Sequence, residues 1–206
     1  MNEQATQDEH WRLFIALLVP ASIRETLAAV QAGLHKAAPN ALIRWTNQEQ
    51  LHLTLRFMGN VPASSLDELA AALKAAALKC DALRLCTQGI GFFPNSTRPR
   101  VVWSGVADDD HRLERVFQVV QEATNPFTVE PQEHRFTGHI TLSRVKAIRS
   151  AELAELRLTA EKYEGRSFGA WQANELVLMR SVLSDSGARH EVIHSFPFFP
   201  GAAQES

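Results

Sequence analysis

His52-Leu53-Thr54-Leu55 recurs 87 residues later as His139-Ile140-Thr141-Leu142. Each copy lies in a run that alternates as strands do, Leu51 to Phe57 and Phe136 to Leu142. Side chains on a strand point to opposite faces in turn. In each copy the histidine and threonine therefore share one face, and the intervening apolar residue and the leucine share the other. The apolar face is the core face. The polar face carries an imidazole and a hydroxyl about 6.6 Å apart, two strand rises of ~3.3 Å. One such pair would carry little weight. Two of them, in a chain with eight histidines, read as matched half-sites.

Working outward, Trp11 to Val19 is a mostly apolar run that stops at Pro20 and reads as a buried strand. Ile23, Leu27, Val30 and Leu34 follow at helical spacing, and Pro39-Asn40 ends that helix. Ile43 to Thr46 is a short strand leading into the first motif. Leu66, Leu69, Leu73 and Ala77 form the stripe of a second helix, with Ser65 to Glu68 in the form of a capping box. Leu83 to Ile90 and Val101 to Val106 are strands joined by a loop containing Arg98 and Arg100. Leu113, Val116, Phe117 and Val120 mark a third helix, with Asp108 to Asp110 at its start. Ala151 to Leu158 is a shorter helical segment. Glu175 to Leu183 and Arg189 to Phe196 form a hairpin across Ser184 to Gly187.

Strands and helices alternate in both halves, and no glycine-rich phosphate loop follows a strand. The fold expected is α+β: two lobes, each a small, mainly antiparallel sheet backed by helices, with the motif strands facing each other across a central cleft. The domain runs from residue 11 to 199, between a polar tail at 1–10 and a second tail at 200–206.

Composition narrows the function. The chain has 206 residues, 45% of them hydrophobic and 21% charged, as in an ordinary folded domain. A net charge of −2 argues against broad coating of nucleic acid, but not against a local basic cleft. Cys80 and Cys86 are the only cysteines, too few for a four-cysteine zinc site, and they read as reduced thiols. Residues 1–10 lack the basic and apolar regions of a signal peptide, and no apolar run reaches membrane-spanning length. A cytoplasmic monomer without membrane contact is expected.

Histidine is the side chain best suited to moving protons near neutral pH. Two of them flanking one reacting centre can divide the work, one taking a proton from water and the other giving one to a leaving oxygen. The two threonine hydroxyls can donate to non-bridging oxygens of a tetrahedral anion. A phosphodiester has that shape. Zinc is the rival chemistry, but it asks for three or four ligands and neither motif supplies a cysteine or carboxylate; no metal and no other cofactor is expected.

With these residues in view the chain resembles the 2H phosphoesterase superfamily, and within it the RNA 2′,3′-cyclic phosphodiesterases, also called 2′-5′ RNA ligases. The resemblance rests on both motifs with their flanks, on Arg12 to Ala16, Arg98 to Trp103, Leu176 to Leu178 and Gly187 to Val192. It implies a pseudo-symmetric bilobal fold and hydrolysis of cyclic phosphate ends of RNA to a 2′-phosphate. It implies His52 as proton donor, His139 as proton acceptor, and Thr54 and Thr141 as phosphate ligands. It also suggests base stacking by Phe57 and phosphate contact by Arg144, each five residues beyond its histidine. Strict alternation puts both on the wrong face unless the strands bulge; Arg56 has the parity for a phosphate contact instead. Phe14 is a further candidate for stacking, with core packing as its other reading. His190 stands where relatives often carry tyrosine, and an effect on the lobe surface is expected of it. Small nucleotides, ADP-ribose cyclic phosphate or 2′-5′-linked oligoadenylate, are the alternative substrates, and a non-catalytic module that binds RNA ends is the alternative to an enzyme.

Overall fold

A computed structural model of the chain describes residues 9–132, 135–184 and 187–199. The two expected tails, except for Glu9 and His10, and the turn residues Asp185 and Ser186 lie outside the described residues. His10 already opens the first strand, and the Glu9 carbonyl accepts from the Ala63 N–H at 2.7 Å.

The described elements run β1 (His10–Leu18), α1 (Ala21–Ala37), β2 (Leu42–Trp45), β3 (His52–Pro62), α2 (Leu66–Ala77), β4 (Leu83–Phe93) and β5 (Val101–Ala107). They continue with α3 (Arg112–Thr124), β6 (His139–Ala147), α4 (Ser150–Glu161), β7 (Ser167–Ala173), β8 (Glu175–Ser184) and β9 (Gly187–Pro197). The strands pair in the order β7-β4-β5-β6-β3-β1-β8-β9, with β2 on β6, and every pairing is antiparallel. The two small sheets expected from the sequence are thus hydrogen-bonded into one curled sheet. Their seam is a single residue pair, Leu53 opposite Ile140. The motif strands are neighbours at that seam rather than walls on opposite sides of a gap.

Apolar periodicity explains the elements. Ile23, Leu27, Val30 and Leu34 of α1 are all buried, as are Leu69 and Leu73 of α2 and Leu113, Val116, Phe117 and Val120 of α3. They cover one face of the sheet together with Leu53, Leu142 and Ile140. Each such side chain removed from water stabilises the fold by about 1.5–3 kcal/mol before entropy is counted. The opposite, concave face carries a small apolar cluster of its own, Phe14, Ala16, Val177 and Met179, where β1 and β8 lie side by side.

Two local expectations change. Ser65 has helical φ and ψ and makes no capping hydrogen bond, because a 3-10 turn at Ala63–Ser65 leads directly into α2. The carboxylate of Asp108 does the capping at α3, accepting from the Leu113 N–H at 2.5 Å. β7 was not anticipated; it completes the edge of the sheet beside β4.

Candidate active site

The seam fixes the relation of the two motifs. With Leu53 opposite Ile140 in an antiparallel pair, His52 falls across from Thr141 and Thr54 across from His139. Leu53 and Ile140 point into the core and are fully buried, so all four polar side chains face the concave side. The imidazoles are anchored alike. Nδ1 of His52 lies 2.7 Å from the Gln50 carbonyl, and Nδ1 of His139 lies 2.7 Å from the Thr137 carbonyl. In each case the carbonyl of the residue two before the histidine accepts, so Nδ1 carries the hydrogen. Nε2 is then the atom left to exchange protons.

The parity conflict at the fifth residue is resolved by matched bulges. Arg56 pairs with Ile15 and Thr54 with Ala16, which leaves Leu55 as an extra residue in β3. Ser143 pairs with Val102 and Thr141 with Trp103, which leaves Leu142 extra in β6. Each bulge puts two consecutive residues into the core and returns the next one to the concave face. Phe57 and Arg144, both exposed, therefore share the face of the histidines.

The same bulge removes Arg56 from the site. It is 2% exposed and turned toward the end of α3, where Nη1 donates to the Gln121 carbonyl and to Gln121 Oε1, both at 2.8 Å. Its phosphate-contact reading is corrected to a structural one. Phe14 is corrected as well. It points to the concave face, but the His52 ring, with centroids 4.9 Å apart, and the His190 ring, at 5.0 Å, pack against it, and it is 2% exposed. A buried ring has no free face to offer a base. Phe57, 50% exposed and 5.9 Å from Phe14, does.

Three site residues escaped the sequence reading. His190 stands edge-on to His52 at 5.2 Å and to Phe14 at 5.0 Å. It belongs to the site and not, as expected, to the lobe surface alone. On the other side Phe93 and Trp103 enclose His139, with centroids 5.0 and 6.1 Å from the imidazole. Gly91 makes room for Trp103, since a Cβ there would fall 2.1 Å from the indole. The only advance signal was parity: Trp103 lies opposite Thr141 and so shares its face.

Burial pushes the His52 imidazole down to about 4, against a weaker upward pull from the Gln50 carbonyl and with further lowering by His190 and His139. Burial also lowers His190. At neutral pH in the free protein His52 is therefore neutral, with its Nε2 lone pair available. Among the described residues no three histidine, cysteine or acidic side chains gather as a metal-binding group. No helix of the described residues is long and apolar enough to cross a membrane.

Comparison with known proteins agrees with this architecture. Residues 17–103 match the family model described as LigT-like phosphoesterase. An RNA 2′,3′-cyclic phosphodiesterase of Methanocaldococcus jannaschii is 30% identical over 182 residues, 88% of this chain and 98% of the relative. One from Thermus thermophilus is 31% identical over 192 residues, 90% of this chain and 89% of the relative. A Thermus thermophilus crystal structure superposes with a TM-score of 0.75 at 25% identity, over 93% of this chain and all of the other.

Proposed function

The chain belongs to the LigT-like phosphoesterases, the family of the RNA 2′,3′-cyclic phosphodiesterases, and on that premise we propose that it opens 2′,3′-cyclic phosphate ends of RNA to 2′-phosphates by paired-histidine acid–base catalysis. The observation that carries this reading is the pairing at the seam, two imidazoles on one face with identical Nδ1 anchors and a threonine across from each.

The reaction follows from those atoms. Thr54 and Thr141 donate hydrogen bonds to the two non-bridging oxygens, which gather charge as water adds to phosphorus. His139 takes the proton of the attacking water on Nε2. The bond from phosphorus to the 3′ oxygen breaks, and His52 gives its Nε2 proton to that oxygen. The products are a 2′-phosphate and a free 3′ hydroxyl, and solvent restores both imidazoles. Run in the same direction with a 5′ hydroxyl in place of water, the same steps give 2′-5′ ligation.

His52 must hold a proton for this role, while burial keeps it neutral in the free protein. The substrate supplies the difference. A phosphodiester anion beside the ring favours the charged imidazolium and offsets the desolvation. The proton donor is in this reading completed by substrate binding. Phe57 supplies a face for the terminal base and Arg144 a charge-assisted contact to phosphate. Both proton transfers are covered by side chains, so the scheme calls for neither metal nor nucleotide cofactor.

The test is the product. An RNA oligomer ending in a 2′,3′-cyclic phosphate, followed by ³¹P NMR, is expected to give the 2′-phosphomonoester alone. A 3′-phosphate would overturn the assignment of the leaving oxygen, and unchanged substrate would overturn the activity.

A further inference from the structure

A buried amide stands behind each of the two bulges. Gln31 of α1 is 8% exposed and Gln121 of α3 is fully buried, and no other amide side chain among the described residues is buried. Nε2 of Gln31 donates to the Leu142 carbonyl at 2.8 Å and to the Thr46 carbonyl at 2.9 Å. Nε2 of Gln121 donates to the Leu55 carbonyl at 3.3 Å. Leu142 and Leu55 are the extra residues of the two bulges. The arrangement is crossed. α1 follows β1, which pairs with β3, yet its glutamine holds β6. α3 follows β5, which pairs with β6, yet its glutamine holds β3.

A bulge residue drops out of the regular ladder, and a buried carbonyl short of donors is costly. The donor that meets it has to reach from helix to sheet and to carry no charge into the core; glutamine does both. The Leu142 carbonyl also accepts from the Thr46 N–H at 2.9 Å, so the Gln31 amide joins the chain just beyond β2 to the β6 bulge. A regular strand would pair its backbone without such help. It would also carry every later residue to the opposite face, Arg144 and Phe57 among them. What the two amides stabilise is therefore the register that serves the cleft.

Resting on the reading that Arg144 contacts phosphate and Phe57 stacks the base, we infer that Gln31 and Gln121 are positioning residues of the reaction. Each fixes the bulge that turns one substrate-binding side chain into the cleft, Gln31 for Arg144 and Gln121 for Phe57. Because the clamps cross, neither half of the chain completes its own binding residue. Arg144 on β6 is set by a helix of the first half, and Phe57 on β3 by a helix of the second. Docking of the two halves thus assembles both substrate contacts at once.

The test is a double-variant cycle in kcat/KM on a mononucleoside 2′,3′-cyclic phosphate, with thermal unfolding recorded for every protein. Gln31→Met keeps the length of the side chain and removes the donor. It is expected to lower kcat/KM about fivefold in the wild type and by less than about twofold in Arg144→Met, where the group it acts through is already gone. Its effect on Tm is expected to be the same in both. Equal kcat/KM losses in the two backgrounds, or no loss in the wild type, overturn the inference, because a purely structural glutamine serves both proteins alike. Gln31→Asn, too short to hold both carbonyls, takes its place if Gln31→Met does not fold. Gln121 also accepts from Arg56, so Gln121→Met is read in Arg56→Met, where no buried charge is stranded. A loss of about fivefold is expected there and less than about twofold once Phe57→Leu is added, and equal losses overturn that half of the inference. If Arg144→Met itself leaves kcat/KM unchanged, or nothing is turned over, the proposed roles fail and the clamp is judged by NMR. Cross-strand contacts between Val101 and Arg144 are expected in the wild type and lost in Gln31→Met. Their persistence in the variant overturns the clamp.

Discussion

Arg56→Met separates the structural arginine from the one assigned to the substrate. The guanidinium is buried, and Nη1 makes two 2.8 Å hydrogen bonds to the carbonyl and side chain of Gln121. Nη2 reaches Asn125 Oδ1 at 3.5 Å and the Glu130 carbonyl at 3.4 Å, both weak. Gln121 in turn donates to the Leu55 carbonyl at 3.3 Å, so the network ties the β3 bulge to the end of α3. A hydrogen bond from a charged donor contributes about 1.5–3 kcal/mol, and two good ones set a gross loss of about 3–6 kcal/mol. Methionine fills the space and returns about 1.5–3 kcal/mol of burial. The net expectation is a destabilisation of about 2 kcal/mol. For a domain of this size that is a fall in Tm of about 4–8 °C. The assay is thermal unfolding by circular dichroism, paired with kcat/KM on a mononucleoside cyclic phosphate at 25 °C. Arg56→Met is expected to lose stability and keep kcat/KM within about twofold. Arg144→Met, at an exposed position, is expected to keep Tm and lose about tenfold in kcat/KM, a charge-assisted contact of about 1.4 kcal/mol. An Arg56→Met protein with an unchanged Tm and no activity would refute the reasoning.

Two further outcomes follow from the site. His52 is held at about 4 against an ordinary 6.5, so the unfolded chain binds its proton first as pH falls. Its contribution to stability is present above about pH 6.5 and is lost as pH falls toward 4, by up to about 3 kcal/mol. An NMR titration of its ring is expected to show a midpoint near 4, raised when inorganic phosphate is bound and raised also in His190→Ala, which lets water reach the ring; a midpoint near 6.5 in the free protein would contradict it. Gly91→Ala drives a Cβ into the Trp103 ring, which borders His139. Kinetics should show a fall in kcat of about 10–100-fold from misplacement of that imidazole, and an unchanged kcat would show that Trp103 does not position it.

The duplicated motif made the site legible because histidine and threonine two apart on a strand must share a face. The apolar stripes of α1, α2 and α3 were legible for the same reason, as period alone decides which side is buried. Arg56 was misread because the bulge at Leu55 leaves no mark in the sequence; leucine is equally at home in a regular strand. The conflict between parity and the expected roles of Phe57 and Arg144 was the trace of that bulge. His190, Phe93 and Trp103 were missed because long-range pairing brings them in. His190 arrives only when β9 pairs with β8 and β8 with β1, 138 residues from His52 in sequence. Phe14 was ambiguous because β1 is covered on both faces, and nothing local announces that the His52 and His190 rings will pack against it.

The central claim is that two imidazoles divide one pair of proton transfers. Single-turnover rates of His52→Ala, His139→Ala and the double variant on one cyclic-phosphate-ended RNA test it most directly. Each single change is expected to cost at least about 10² in rate, with the double variant far less impaired than the product of the two losses, because the groups act as a unit. Retention of more than a tenth of the wild-type rate by either single variant would contradict the account.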